Sequence, residues 1–208
     1  MTTAQRESTA TTATKRKLTA RDFVNVGIFT VLYFFVTFLG GCVGMVSPAM
    51  MLAGFAVAIA VDGTIIMLYL AKTPIFGAMT TLGLILGILM VLTGHFWGTV
   101  VLTTLLGLAA DAIAASGTYR PRVRNIIGYG VFTAWFIGPF LPIFINSDAY
   151  FKQMDQQMGA DYSASMAQLF TPGVTVLFAL VGVAIGLLGG WIGTRLIDKH
   201  FAKAGMVA

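Results

Sequence analysis

The sequence predicts an all-α membrane protein with six transmembrane helices, and three observations carry that prediction. Of 208 residues, 57% are hydrophobic and only 10% charged, whereas soluble domains carry roughly a quarter charged residues. Apolar runs of about 20 residues, the length a bilayer core demands, recur along the whole chain. Between them lie breaker segments such as GGCVGMVSP, AKTP, TGH and SGTYRPR, which end helices and turn the chain.

Helix one is expected near Phe23–Gly41, after a basic tail, and stops at GGCVGMVSP. Helix two, Pro48–Leu70, starts on the proline of that segment and ends at AKTP. Helix three, Ile75–Leu92, gives way at TGH to helix four, Phe96–Ala115, which ends at SGTYRPR. Helix five, Val123–Ile145, carries Pro139 and Pro142 in one half; each removes a backbone donor and frees a carbonyl one turn back. A break at membrane depth persists only where protein or a water-filled cavity satisfies the freed groups, so the prolines mark either a cavity or a kink for packing. Helix six runs over Pro172–Ile197. The expected organisation is a basic tail over 1–20, a membrane domain over 21–200 and a short tail over 201–208. The opening MTTAQRESTATTATKRKLTAR has no apolar core ahead of a cleavage site and does not read as a signal peptide.

Cationic residues are segregated. Arg6, Lys15, Arg16, Lys17 and Arg21 precede helix one, and Lys72 follows helix two. Arg120, Arg122 and Arg124 separate helices four and five, and Arg195, Lys199 and Lys203 close the chain. With six spans all of these share one side and only Lys152 falls on the other. The positive-inside rule then puts both termini in the cytoplasm. The net charge of +5 is explained by topology, and no nucleic-acid partner is expected.

The opposite face is where the remaining polar and aromatic residues collect. His95, Phe96 and Trp97 sit in the gap MVLTGHFWGTVVL. They read either as part of an interfacial aromatic belt or as a group in which neutral imidazole orients a ligand. The long connection NSDAYFKQMDQQMGADYSASMAQLFTP places Phe151, Met154 and Met158 at i, i+3 and i+7, one face of a short amphipathic helix that Gly159 can end. That helix either closes as a lid or rests on the headgroups.

Two acids fall inside spans, Asp62 and Asp111, and intramembrane acids are functional candidates by default. Asp111 is expected to pair with Arg120, Arg122 or Lys72; Asp62 lies deeper, with substrate binding or a neighbouring partner open. Gly182, Gly186 and Gly190 repeat at i+4 on helix six, a small-residue stripe that serves packing in the bundle or a groove for another subunit's helix. Cys42 is the lone cysteine, so neither a disulfide nor a cysteine-rich metal site is expected. The sequence has no phosphate-binding G-x-x-x-x-G-K-[ST] loop and no H-E-x-x-H, and its one glutamate is Glu7. An enzyme is therefore not expected, nor a resident cofactor.

The segments LTARDFVNVGIFTVLYF, YLAKTPIFGAMTTLGLILGILMVLTGHFWGTVV, GLAADAIAASGTYR, NIIGYGVFTAWFIGPFLPIFINSDAYF and GLLGGWIGTRLIDKHF resemble the Trep_Strep, or MptD-like, family, whose members look like substrate-binding S components of energy-coupling factor transporters. The resemblance runs from Leu18 to Phe201. It implies a subunit that captures a scarce micronutrient at the outer face and docks on a membrane scaffold subunit with two cytoplasmic ATPases. Carried onto this chain, it favours His95, Phe96, Trp97, Asn146, Asp148, Tyr150, Phe151 and Met154 for the substrate. An Ala-x-x-x-Ala docking motif is missing from helix one, and Ala56 and Ala60 give that spacing on helix two. The substrate expected is haem or a related tetrapyrrole, with His95 as axial ligand; alternatives are a vitamin or aromatic vitamin precursor, or no ligand at all in an assembly subunit of a membrane complex.

Overall fold

The computed structural model describes residues 19–120 and 122–203, with side chains to residue 199. The tail predicted over 1–20 lies outside the described residues up to position 18, as do positions 204–208 of the closing tail. Eight α-helices are described: α1 Ala20–Cys42, α2 Pro48–Lys72, α3 Ala78–Leu92, α4 Gly98–Ala115, α5 Arg122–Thr133, α6 Pro142–Met158, α7 Ala160–Leu169 and α8 Pro172–Lys203. Five helical stretches are long and apolar enough to cross a membrane, and α3 is a shorter apolar helix.

Local chemistry explains most boundaries. Thr19 and Asp22 form a reciprocal capping box at the start of α1. Ser47 caps α2 by accepting from the Met50 amide at 3.2 Å, and Pro48 takes the first helical position, where its missing donor costs nothing. α3 starts at Ala78, later than the expected Ile75, because the chain turns at Gly77 with φ +97°, a conformation that favours glycine. Its 15 residues span only about 22 Å at ~1.5 Å per residue, short of the ~30 Å hydrocarbon core.

The break in the fifth span is longer than its prolines alone indicate. α5 ends at Thr133, and Ala134–Phe140 winds as a tighter 3₁₀ run of seven residues with Pro139 inside it. Such runs rarely exceed three or four residues. Pro142 then opens α6, which kinks at Asn146 (φ −157°, ψ 86°). Asn146 Oδ1 accepts from the Ala149 amide at 3.1 Å, so this residue caps the second half of α6.

The long helices pack in a closed order, α1–α2–α8–α5–α4–α3 and back to α1. The centre of this ring is filled rather than hollow. Tyr33, Tyr69, Tyr129, Phe132 and Trp135 are buried there with Ile66 and Leu82. Their polar tips are satisfied as buried aromatics require: Trp135 Nε1 donates to the Tyr33 hydroxyl at 2.8 Å, and Tyr129 donates to the Ile59 carbonyl at 2.6 Å.

One end of the ring gathers cations. Asn25 on α1 donates to Thr73 after α2 at 3.2 Å, Arg122 pairs with Asp198 of α8 at 2.6 Å, and Arg124 donates to Ser116 at 2.7 Å. The opposite end holds the α1–α2 and α3–α4 connections and the α6–α7 hairpin, with Tyr162 of α7 donating to the Gly44 carbonyl at 2.9 Å. Arg122 and Arg124 thus lie at the basic end, where α1 and α5 begin and α2, α4 and α8 end.

Candidate functional site

The non-basic end contains two separate groups of the residues singled out above. In the first, the α3–α4 turn folds around one carbonyl. Met90 O accepts from Thr93 Oγ1 at 2.8 Å, from the His95 amide at 3.1 Å and from His95 Nδ1 at 3.1 Å. A carbonyl only accepts, and Thr93 Oγ1, 3.1 Å from the same nitrogen, already donates to Met90 O, so these contacts favour the tautomer with the proton on Nδ1. Nε2 then carries a lone pair and has no partner among the described residues. Phe96 and Trp97 stack obliquely at 5.4 Å, and Trp97 is exposed.

Crowding of the ring by its own turn holds the His95 pKa below the usual 6.5, with the Met90 carbonyl bond pulling the other way. The residue as a whole is exposed, so water limits the size of this effect. A depressed imidazole pKa favours the fold at and above pH 6.5, and that contribution is lost as pH falls below it. Ring-nitrogen NMR is expected to show the Nδ1–H tautomer and a His95 midpoint under 6.5; a midpoint above that value would refute the turn geometry.

The second group is the α6–α7 hairpin and its seat. Phe140, Ile143, Met166 and Phe170 are buried in a cluster against which Met51, Leu52, Phe55, Tyr150, Phe151, Met154, Tyr162 and Phe178 pack. Phe140 and Phe170 stack at 4.7 Å with planes 12° apart, and Phe178 meets both edge-on. Ser163 Oγ donates to the Phe151 carbonyl at 2.7 Å, which ties α7 to α6, and Gly159 (φ +90°) turns the chain between them. The expected amphipathic helix therefore exists as half of a hairpin, with Phe151 and Met154 packed on the seat and Met158 exposed instead of sharing that face. α7 was not anticipated, although Tyr162, Met166 and Leu169 at i, i+4 and i+7 are the signal that could have found it.

Tyr150, Phe151 and Met154 thus lie together beneath or along the hairpin, whereas Asp148 is exposed and Asn146 is engaged as a cap. No hydrogen bond, ring contact or packed cluster among the described residues joins them to His95, Phe96 or Trp97. Below the hairpin seat, a groove of about 200 Å³ runs between α2 and α8, lined by Leu52, Ala56, Ile59, Phe178, Gly182 and Ile185 among others. Leu52 and Phe178 belong to both the seat and the groove. Thr99 of α4 is a residue the sequence did not flag. It is fully buried against Gly138 in the 3₁₀ break, and its hydroxyl has no partner.

The remaining candidates are absorbed by the bundle. Gly182, Gly186 and Gly190 are all buried. A methyl on Gly186 would meet Thr133 at 2.7 Å and one on Gly190 would meet Ile126 at 3.5 Å, both on α5, whereas one on Gly182 would meet Ile59 of α2 at 3.5 Å. Ala60 lies against Gly189 of α8, and Ala56 lines the groove. Asp111 corrects the expected ion pair with Arg120, Arg122 or Lys72. Its carboxylate accepts from the amides of Gly77 (3.0 Å), Met79 (3.2 Å) and Thr80 (2.8 Å), from Thr80 Oγ1 (2.7 Å) and from the Tyr119 hydroxyl (3.2 Å). It caps the buried start of α3, where orphan amides and the helix dipole favour a negative group. Tyr119, in the turn after α4, is held protonated well beyond the ordinary phenol range by burial and by that carboxylate.

A family described as hypothetical bacterial integral membrane proteins (Trep_Strep) matches residues 20–203. The chain belongs to the Trep_Strep family. No curated protein and no solved structure matches it. Membership together with several long apolar helices makes this Trep_Strep chain a multi-pass integral membrane protein.

Proposed function

We propose that this Trep_Strep protein is the substrate-binding subunit of an importer, an S component of the energy-coupling factor kind, with six membrane crossings and its basic end in the cytoplasm. One observation carries the reading. The end opposite the cations bears a helical hairpin seated on an aromatic cluster, and that seat continues into an apolar groove. A hairpin latched to the α1–α2 connection by the Tyr162 hydroxyl covers its seat, and on this reading its release admits substrate. On this reading partner ATPases and a scaffold subunit supply the energy, in keeping with a sequence that carries no nucleotide-binding loop.

Size and geometry favour a small apolar or single-ring aromatic substrate, such as a vitamin precursor, over a tetrapyrrole. A groove of about 200 Å³ falls below the roughly 300–1,000 Å³ of pockets for drug-sized ligands. Among the described residues no contact joins His95 to Met45, Met50, Tyr150, Met154 or Tyr162, the side chains that could supply a second axial ligand to a haem iron should it take one. Flat rings suit a seat whose own rings stack and meet edge-on.

Native mass spectrometry of the detergent-purified chain is expected to show one retained small molecule. Tyr162→Phe, which removes a latch of about 1 kcal/mol, should cut retention about fivefold. Failure to retain any compound, together with no recovery of scaffold and ATPase subunits in mild detergents, would overturn the reading. Sidedness has its own check. A cysteine at position 95, in a Cys42→Ser background, should react with an impermeant maleimide in intact cells, and one at position 116 only after lysis.

A further inference from the structure

Asp62 is used by nothing described so far. It sits 14 residues from one end of α2 and ten from the other, close to mid-membrane, and is fully buried. Thr37 Oγ1 of α1 donates to its Oδ2 at 2.9 Å, and Oδ1 has no partner at all. The ion pair Arg122–Asp198 is at the basic end of the ring, and no cation among the described residues is paired with this carboxylate.

The surroundings confirm its isolation from charge. The titratable groups that feel its charge are the hydroxyls of Tyr33 from α1 and Tyr129 from α5. Tyr33 already accepts from Trp135, and Tyr129 donates to the Ile59 carbonyl. On α1, Arg21 and Asp22 lie at the basic end and Cys42 at the opposite one; on α5, Arg122 and Arg124 lie at the basic end. α8 presents glycine backbone next to Asp62, through Gly189 and Gly190 against Gly63, and its Arg195, Asp198 and Lys199 lie at the basic end. α7 brings Asp161 and Tyr162 only at the hairpin end, and the short 3₁₀ turn Val43–Met45 has no titratable side chain. A bare charge in such a place costs several kcal/mol, roughly, even after relaxation, and ionisable groups inside membranes mark ion or proton paths.

We propose that Asp62 is an intramembrane cation site, whose unpartnered Oδ1 takes up a small cation, a proton or an alkali metal ion, between α1 and α2. Binding joins the cation to one carboxylate oxygen and changes no other bond. Two side-chain oxygens, from Asp62 and Thr37, suffice for a proton and fall short of the about six oxygens that hard metal cations gather. Because Thr37 and Asp62 bridge α1 and α2, occupancy sets how those helices are held together.

A hydrophobic carbodiimide tests this directly, since it forms a stable adduct only with a protonated carboxyl group. Applied to the full chain in sodium-free nanodiscs, dicyclohexylcarbodiimide should modify Asp62, as located by peptide mapping of the wild-type protein. Asp62→Asn, an uncharged isostere, should remove the adduct and also the titrating carboxylic-acid band in the infrared spectrum. Protection by added sodium identifies the metal ion as occupant, and labelling indifferent to sodium identifies the proton. No adduct on Asp62 in the wild-type chain and no titrating carboxylic-acid band would overturn the proposal, whether or not the variant folds.

Discussion

Replacing Asp111 with alanine is expected to be among the most damaging single changes outside the aromatic core. Five donors converge on this carboxylate, three of them backbone amides at the start of α3. Asp111 is fully buried, so water cannot readily replace it. Buried donors left unpaired cost about 1–3 kcal/mol each, and partial relaxation of the turn brings the total to about 4 kcal/mol. A loss of that size lowers the thermal midpoint of a chain this long by about 10 °C. Thr80→Val, which removes only the Oγ1 bond, should cost about 1 kcal/mol. Thermal unfolding of both variants in one detergent checks the ranking. If Asp111→Ala melts with the exposed-site control Asp148→Ala, the cap is not what holds α3.

Asp111 also marks the boundary of what a sequence can disclose. Its arginine neighbours in sequence made an ion pair the natural expectation, yet three of its five partners lie 31 to 34 positions away and are backbone groups. Those partners are main-chain amides, which every sequence has and none advertises. The spans themselves were legible because apolar length and breaker residues are one-dimensional signals. Pro48, Gly77 and Gly159 all punctuate the chain where their backbone chemistry dictates. Pro139 and Pro142 announced a break, but its extent back to Ala134 depends on Trp135 and Phe136 packing inward from a 3₁₀ run, a tertiary effect.

The candidate site was half legible for the same reason. Phe151 and Met154 were readable as one face of a helix, and they do pack on the hairpin seat. Sequence could not say that the closed order of helices sets the His95 turn, between α3 and α4, apart from a hairpin seated on α2 and α8. Proximity across a bundle depends on ring order, and ring order leaves no trace in any single segment. The glycine stripe of α8 was ambiguous in sequence because partner helices and bundle helices reward the same spacing.

Gly189, beside that stripe on α8, yields the second large effect, and with it a sign that can be checked. Gly63 and Gly189 bring the backbones of α2 and α8 into contact: a methyl on Gly63 would sit 2.3 Å from the Gly189 carbonyl carbon and 2.6 Å from the Gly190 nitrogen. No flexible side chain stands there to give way, so a larger residue must push one helix off the other. Within a bilayer, lipid tails are as apolar as the helix faces, and association rests on close packing. Gly63→Val should therefore cost about 3 kcal/mol, the upper range for overpacking, and shift the midpoint down by several degrees. Gly182 lies on the same helix as Gly189, yet its added methyl would meet only Ile59 Cδ1 at an ordinary 3.5 Å. There, alanine gains up to about 1 kcal/mol of helix propensity, and Gly182→Ala should melt at or above the parent. Opposite signs at two glycines of the same seam separate backbone contact from a general demand for small residues; equal destabilisation at both would place the tight contact elsewhere along α8. Because the groove and the hairpin seat share Leu52 and Phe178 with this seam, Gly63→Val should also loosen the hairpin, and proteolysis within 159–171 should quicken in that variant while it stays at the parent rate in Gly182→Ala.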